Sequence, residues 1–191
     1  FALKNFGLTG PTSNWVLDAP VSFDSNLANK NVVELYGTGD YIDLNNETEF
    51  DFDQEYTIQY WLKNTTNLNL LQLVLTKGDI NGTLSYYSDF NGSTLFFGQR
   101  SPGQGSFFIA ANGLPVDEWT HITLTAKEEN GGISFKTYFD GQLKASGFKP
   151  NDQIPQTDQK VRLGAGEFYG TLSNIKFWNI ALSDEEIEKE Y

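Results

Sequence analysis

The sequence of 191 residues contains no cysteine, no methionine and one histidine, His121. The absence of cysteine excludes disulfides, thiolate zinc sites and cysteine nucleophiles. With one histidine and no cysteine a zinc site is not expected, and nothing marks a serine that would complete a hydrolytic triad with His121. We therefore expect His121, which lies in a strand pattern, to serve packing or hydrogen bonding.

Positive charge is also scarce, since the sequence has 13 basic residues against 25 acidic ones. Only two of the basic residues are arginines, Arg100 and Arg162. A surface that binds nucleic acid or an anionic membrane must be cationic, so the net charge of −12 argues against both partners. No apolar run is long enough for a signal peptide or a membrane span, and no membrane insertion is expected. The opening FALKNFGL, without methionine, is typical of a fragment of a longer, multidomain chain or of a matured product.

Aromatic residues and glycines are abundant, with 15 Phe, 9 Tyr, 4 Trp and 18 Gly. Turn clusters recur about every ten residues and separate short segments rich in β-formers. The predicted strands cover residues 32–37, 41–44, 56–62, 70–77, 94–99, 106–111, 119–126, 133–139, 142–146, 160–166 and 169–178. This spacing predicts an all-β fold, a two-sheet antiparallel β-sandwich formed as one domain over residues 1–191.

Two local signals fix details of this fold. Asp140-Gly141 between two strand patterns predicts a type I′ hairpin. Near the end of the chain, Ser183 and Glu186 have the spacing of a capping box, and Ile187 then faces the body of the protein. We therefore predict one short C-terminal helix from about Ser183.

Five motifs in the C-terminal third occur in a recognisable order. They are WTHIT (119–123), YFDGQL (138–143), RLG (162–164), GTLSNIKFWN (170–179) and ALSDEEI (181–187). This order resembles the laminin-G-like and pentraxin-like branch of the Concanavalin A-like lectin/glucanase superfamily. The segments GTGDYI (37–42) and YTIQYW (56–61) fit the first half of the same family. The resemblance implies a jelly roll, a fold found in carbohydrate-binding modules, adhesion domains and some glucanases.

An acidic run at positions 49–55 (EFDFDQE) bears on catalysis. As a strand it would place Glu49, Asp51 and Asp53 on one face. Retaining glucanases of the resembling fold use a Glu-x-Asp-x-Glu or Glu-x-Asp-x-x-Glu run, with two carboxylates about 5–5.5 Å apart. The third position here is an aspartate or a glutamine, so the motif departs at a catalytic position. We expect solvated acids opposite two core-facing phenylalanines and no catalytic residues.

Calcium is the metal that this composition favours, since hard oxygen ligands are plentiful. Many members of the resembling family hold a structural ion between an N-terminal turn and the penultimate strand, with an aspartate at the position of Asn174. Asp40, at the end of the turn GTGD, is the nearest matching acid. We therefore predict Ca²⁺ bound by Asp40 and Asn174 as a structural cofactor, with a simple turn-forming role for Asp40 as the alternative.

The segment GQRSPGQGS (98–106) has the composition of a mobile loop and presents Arg100 between two phenylalanines. An arginine in such a loop can clamp a carboxylate or a sugar diol with its planar fork. Tyr86, Tyr87 and Phe90 precede a second turn and are predicted to form an adjacent aromatic wall. The predicted ligand-binding residues are therefore Arg100, Tyr86, Tyr87 and Phe90, although most aromatic rings must fill the core of a sandwich.

The sequence as a whole predicts a non-catalytic, lectin-like carbohydrate-binding module of a larger secreted or cell-surface protein, with a glycan or polysaccharide as its partner. Two alternatives stay open. One is an adhesion or spacer domain that binds protein. The other is a laminarinase-type glucanase that uses the acidic run. A glycan array separates the first two functions, and a reducing-sugar assay on β-glucans tests the third.

The calcium hypothesis makes a prediction for thermal unfolding. An ion that binds only the native state stabilises it by mass action, so the melting temperature should rise with calcium concentration and fall with chelator. Differential scanning fluorimetry measures both. Melting curves in calcium and in chelator that superimpose would show that no such ion contributes.

Overall fold

The computed structural model describes residues 3–6, 15–17, 21–23, 31–37, 40–44, 47–66, 70–164 and 167–191. In chain order the strands and the helix are β1 (Leu3–Phe6), β2 (Trp15–Leu17), β3 (Val21–Phe23), β4 (Asn31–Tyr36), β5 (Ile42–Leu44), β6 (Glu55–Asn64), β7 (Gln72–Gly78), β8 (Leu84–Asn91), β9 (Thr94–Ser101), β10 (Gly105–Asn112), β11 (Trp119–Glu129), β12 (Gly132–Phe139), β13 (Gln142–Pro150), β14 (Val161–Leu163), β15 (Tyr169–Trp178) and α1 (Asp184–Glu190).

These strands form two antiparallel sheets. One has eight strands in the order β13-β12-β11-β6-β15-β4-β3, with β1 also paired to β15, and the other has seven in the order β10-β9-β8-β7-β14-β5-β2. The hairpin between β12 and β13 turns at Asp140 and Gly141, whose φ angles are +50° and +73°. Both the predicted sandwich and the predicted hairpin are confirmed.

The core lies between the sheets and follows from the period-two alternation of the strands. On β6, Ile58 and Leu62 point inward and are fully buried. Phe50 and Phe52, from the acidic run, join the same core cluster, as predicted for their side chains. Because one face of each sheet is consumed in this way, any ligand must bind an outer face or an end of the sandwich.

The C-terminal segment covers the outer face of the eight-stranded sheet around β6. The β6 side chains Thr57 and Gln59 are fully buried although they point away from the core. The Thr57 hydroxyl donates to the carbonyl of Ile180 at 2.8 Å and accepts from the N–H of Leu182 at 2.9 Å. The indole N–H of Trp178 donates to Gln59 Oε1 at 3.0 Å. These contacts dock the segment that leads into α1.

The helix α1 forms as its sequence predicts. Ser183 is the N-cap, and its side chain and that of Glu186 form a capping box. Ile187 is fully buried in a small cluster with Tyr138 and Leu182. The Tyr138 hydroxyl donates to Asp184 Oδ1 at 2.6 Å, which ties the first helical residue to the sheet. In the described parts of the chain, no helix has the length and apolarity needed to cross a membrane.

The structure differs from the predicted strands in the seven-stranded sheet. Strand β8 was not predicted, because Ser85, Ser88 and Asp89 interrupt its apolar pattern. Those polar side chains are nevertheless buried, since β8 is a central strand with neighbours on both sides. The predicted mobile loop at 98–106 is also wrong, because most of it forms β9 and β10 and only residues 102–104 turn. Both differences lie in β8 to β10, which carry the candidate site.

At the β10 and β13 edges the two sheets approach each other closely. Gly147 on β13 lies against β10, and a Cβ built there would be 2.5 Å from Ile109 Cγ2. A glycine is required here because a side chain would push the two edge strands apart.

A buried polar network joins the sheets nearby. Asp152 accepts hydrogen bonds from Gln99 Nε2 at 2.9 Å and from Ser101 Oγ at 2.7 Å, both on β9. It also forms an ion pair with Lys149 of β13 at 2.7 Å, and the side chains of both ions are nearly buried. Burial alone would raise the pKa of Asp152, but the hydrogen bonds from Lys149 and Ser101 outweigh it and lower the pKa.

This network predicts a large stability effect at Asp152. Asp152→Asn leaves Lys149 as a buried unpaired charge and should lower the free energy of unfolding by about 3 kcal/mol. Asp117→Asn is the matched control, since it removes the carboxylate of an exposed ion pair with Lys63 and should cost less than about 1 kcal/mol. Urea unfolding measures both variants. Equal losses would contradict the role given to the network.

Candidate functional site

The outer face of the seven-stranded sheet carries a groove. Its volume is about 300 Å³, and it is lined by Leu71, Leu73, Ile80, Leu84, Tyr87, Asp89, Phe96, Arg100, Ser106 and Phe108. The lining comes from β7 to β10, from the turn between β7 and β8, and from Leu71 just before β7. The groove is therefore built mainly on regular strands rather than on loops, and the positions of its side chains follow from the strand register.

Strand pairing arranges these side chains in rows across the sheet. Tyr87 on β8 pairs with Gly98 on β9, which pairs in turn with Phe108 on β10. Because Gly98 has no side chain, a hollow separates the two aromatic residues. A Cβ at Gly98 would lie 1.9 Å from the carbonyl oxygen of Phe107, so the backbone approach of β10 requires glycine at this position.

The adjacent row contains an acid and a third aromatic ring. Asp89 on β8 lies between Leu73 on β7 and Phe96 on β9. The ring of Phe96 contacts that of Phe108 edge to face, with centroids 5.5 Å apart. Phe108 is half exposed, whereas Asp89 and Tyr87 lie at the bottom of the groove and are almost buried.

Arg100 closes the opposite side of the hollow. Its Nε donates to Ser106 Oγ at 2.8 Å, across the β9–β10 hairpin. Its Nη1 donates to the carbonyl of Ile80 in the turn between β7 and β8. The guanidinium is thus held in place from two elements, and it lies beside Tyr87 in one groove, as the sequence predicted for this pair.

The acid and the phenol in the groove both have perturbed titration. Burial raises the pKa of Asp89 to about 7, because the apolar surroundings disfavour the carboxylate. Burial and the nearby Asp89 raise the pKa of Tyr87 to about 12, and Arg100 opposes this shift. Within the described part of the chain, no side chain donates a hydrogen bond to the Asp89 carboxyl. Asp89 therefore changes charge near neutral pH within an apolar groove.

Tyr86 and Phe90 lie elsewhere, which corrects the predicted aromatic wall. Both side chains point into the core and are almost completely buried. The Tyr86 hydroxyl donates to the carbonyl of Phe50, and the Phe90 ring contacts that of Phe168 edge to face. Since neighbouring residues of a strand point to opposite faces, Tyr87 faces the groove while Tyr86 faces the core.

A second hollow continues the groove along the same sheet face. It measures about 680 Å³ and shares Leu73 and Ile80 with the first. Arg162 lines it and forms a bidentate ion pair with Asp43, with N–O distances of 2.6 and 2.9 Å. The guanidinium also lies 4.1 Å from the centre of the Tyr41 ring. These contacts give Arg162 a structural role.

The two predicted calcium ligands do not come together. Asp40 Oδ2 accepts a hydrogen bond from the N–H of Tyr36, which pairs with Tyr169 on β15. Asn174 lies five residues further along β15, a distance of about 16 Å at the rise of a strand. It occupies an irregularity in the β15–β6 pairing and has φ of +49°. One ion therefore cannot bind both residues.

Neither residue belongs to a cluster of acidic, histidine or cysteine side chains in the described part of the chain. Among the described residues no cluster of three or more acidic, histidine or cysteine side chains is found. The carboxylate of Asp40 caps a turn, as its alternative interpretation holds. Calcium binding as such remains a prediction, but the pair named from the sequence does not fit one site.

The acidic run does not form the strand face that catalysis would need. Residues Glu47–Phe50 form a 3₁₀ turn, and residues 51–54 connect it to β6. Asp51 is paired with the buried Lys77 at 2.9 Å. The expectation that Glu49, Asp51 and Asp53 share one face is therefore wrong, because the alternation of a strand is absent.

His121 has the packing position expected for it. Its side chain is almost completely buried, and its ring lies near those of Trp61 and Tyr191, with centroids 5.2 and 5.9 Å away. It is on the covered face of the eight-stranded sheet and far from the groove in the fold.

Known structures share this architecture at low sequence identity. The receptor-binding domain of botulinum neurotoxin D superposes with a TM-score of 0.73 over 93% of this chain at 15% identity. A second structure of the binding domain of botulinum neurotoxin serotype D gives a TM-score of 0.68 over 91% of the chain at 16% identity. The alignment covers 46% of each solved chain, so this chain spans about half of their length. At these identities the likeness establishes the fold.

Among curated proteins, none matches the sequence significantly. The profile of a laminin G family, described as Concanavalin A-like lectin/glucanases superfamily, matches residues 36–188. The match covers most of the sequence and both sheets of the sandwich. The chain therefore belongs to the laminin G branch of the Concanavalin A-like lectin/glucanase superfamily.

Proposed function

We propose that this domain binds a glycan without catalysis, in the groove on the outer face of the seven-stranded sheet. The observation that carries the proposal is the grouping of three aromatic residues, Tyr87, Phe96 and Phe108, with Arg100 and Asp89 around one hollow. Sugars present apolar C–H faces and polar hydroxyls, so their sites combine aromatic rings with a few fixed polar groups.

Each side chain has a role suited to this ligand. The half-exposed Phe108 offers a ring for a sugar to cover, and Phe96 supports that ring from the side. Arg100 offers donors for ring or hydroxyl oxygens, and Asp89 offers an acceptor or, when protonated, a donor. Because these groups lie on regular strands, their geometry is largely fixed before binding, which limits the entropic cost of association.

The described residues of the groove include too few carboxyl groups for glycosidase catalysis. A retaining or inverting glycosidase uses two carboxyls that flank the scissile bond. Among the described residues that line the 300 Å³ groove, Asp89 is the one carboxyl side chain. The acidic run, the other source of such groups, is tied to the core and to Lys77.

The setting of the domain is proposed from its relatives. Laminin-G-like domains and toxin receptor-binding domains are typically extracellular, which favours a module of a secreted or surface protein. A protein ligand is the second candidate, because Leu71 and Ile80 expose aliphatic side chains at the rim of the same groove. Such a patch is typical of protein contact surfaces.

The proposal predicts the effect of removing the exposed ring. Phe108→Ala should weaken binding of the glycan that gives the strongest signal on an array about tenfold, since an aromatic contact contributes roughly 1 kcal/mol beyond its buried area. Isothermal calorimetry on the soluble oligosaccharide measures the change. The melting temperature should move little, because Phe108 lies outside the core cluster.

Phe148→Ala is the matched control. Phe148 is a similarly exposed phenylalanine on the edge strand of the other sheet, at 43% against 52% for Phe108. Its loss should leave glycan affinity unchanged. Equal effects of the two variants would place the ligand outside the groove, and array signals for no glycan at all would favour the protein-binding function.

A further inference from the structure

The ion pairs of the structure single out Arg100. Of the eleven basic side chains in the described part of the chain, seven pair with a carboxylate within 3.2 Å. The four that have no such partner there are Arg100, Lys144, Lys160 and Lys189. The three lysines are exposed to solvent, whereas Arg100 is half-buried in the groove.

This pattern is unexpected in an acidic chain. With 25 acidic residues against 13 basic ones, a carboxylate partner is easily supplied, and Arg162 on the same sheet face has one in Asp43. Arg100 instead donates to two neutral acceptors, Ser106 Oγ and the carbonyl of Ile80. These contacts fix the direction of the guanidinium, and no carboxylate of the described residues lies within ion-pair distance of it.

We propose that the groove selects an acidic glycan, and that Arg100 binds the anionic group of the sugar, a carboxylate or a sulfate ester. The inference rests on the proposed function and adds the class of ligand to it. A guanidinium already held in position binds such a group through charge-assisted hydrogen bonds, which are stronger than bonds between neutral groups. The rings of Phe96 and Phe108 then contact the apolar face of the same or the next sugar.

Asp89 modulates this selection because it lies in the same groove as Arg100. Three titratable or charged groups surround Asp89: Tyr87 on its own strand, Arg100 on β9, and Tyr60 of the opposite sheet. The charge of Asp89 adds to the effect of burial in raising the pKa of Tyr60. Its pKa of about 7 means that the carboxyl is mostly neutral below that pH and mostly charged above it. A charged Asp89 repels an anionic sugar, so affinity should fall as the pH rises through about 7.

The test is a glycan array that contains matched neutral, carboxylated and sulfated forms of the same oligosaccharides. At about pH 6 the wild-type protein should prefer an acidic form at least tenfold over its neutral counterpart, which is about 1.4 kcal/mol. Calorimetry with the preferred oligosaccharide and with its methyl ester or desulfated form then measures the contribution of the charge. The carboxylated and sulfated arms identify which anion is recognised.

Substitutions of single basic residues show which side chain binds the anionic group. Arg100→Ala should reduce affinity for the acidic form tenfold or more, and Arg100→Lys should restore little because an ammonium lacks the planar fork. Lys144→Ala removes the same charge from the edge strand of the other sheet and should leave affinity unchanged. Melting curves confirm that each variant is folded, and Arg100→Lys keeps the test informative if Arg100→Ala is destabilised.

The pH arm compares the wild-type protein with Asp89→Asn between about pH 5.5 and 8.5. The wild-type affinity for the acidic glycan should decline across this range, and the variant should show a flat profile.

Three results would overturn the inference while leaving carbohydrate binding intact: a preference for neutral glycans, equal losses for Arg100→Ala and Lys144→Ala, or a pH profile that Asp89→Asn does not alter. Array signals for no glycan would remove the proposed function itself, and this inference with it.

Discussion

The two hydrogen bonds of the Thr57 hydroxyl decide which face of the sandwich is open. They hold the segment at Ile180 and Leu182 against the eight-stranded sheet, and α1 follows directly. Without this docking, buried polar residues such as Gln59 and His121 would face solvent. The C-terminal segment occupies the centre of that face and leaves the outer face of the seven-stranded sheet open, and the groove lies there. The position of the candidate site thus follows from the docking of the segment at Ile180 and Leu182 on the other sheet.

The groove itself arises from ordinary strand geometry combined with one missing side chain. Gly98 leaves the hollow between Tyr87 and Phe108, and the rows on either side supply Asp89 and Arg100. Every one of these residues lies on a strand whose opposite face contributes to the core. A substitution that shifted the register by one residue would bury the site and expose the core at once, so the fold and the site are specified together.

Local signals in the sequence predicted what depends on neighbouring residues. The turn at Asp140-Gly141 and the capping box at Ser183 are determined within four residues, and both formed as expected. The site depends on the register between four successive strands, β7 to β10, and there the sequence was only partly sufficient. Arg100 and Tyr87 were identified, but Tyr86 and Phe90 were assigned to the same surface because β8, which separates their directions, was not recognised.

The remaining errors also concern residues whose positions depend on how the strands pair. Asp40 and Asn174 were joined by a family pattern, and the distance along β15 separates them. Asp89, Phe96 and Phe108 were not identified at all. A lone acid among aromatic residues was the available signal for Asp89, and alternation around Gly98 was the available signal for the two phenylalanines.

The close approach of β10 and β13 at Gly147 has a consequence for self-association. Exposed edge strands can act as templates for a further strand from a second molecule, and proteins protect them with lysine, proline or a covering element. At this edge β13 carries the exposed Lys144 and ends at Pro150, while Ile109 of β10 lies directly against it. We therefore expect these features to disfavour pairing of this edge with a strand of a second copy of the domain.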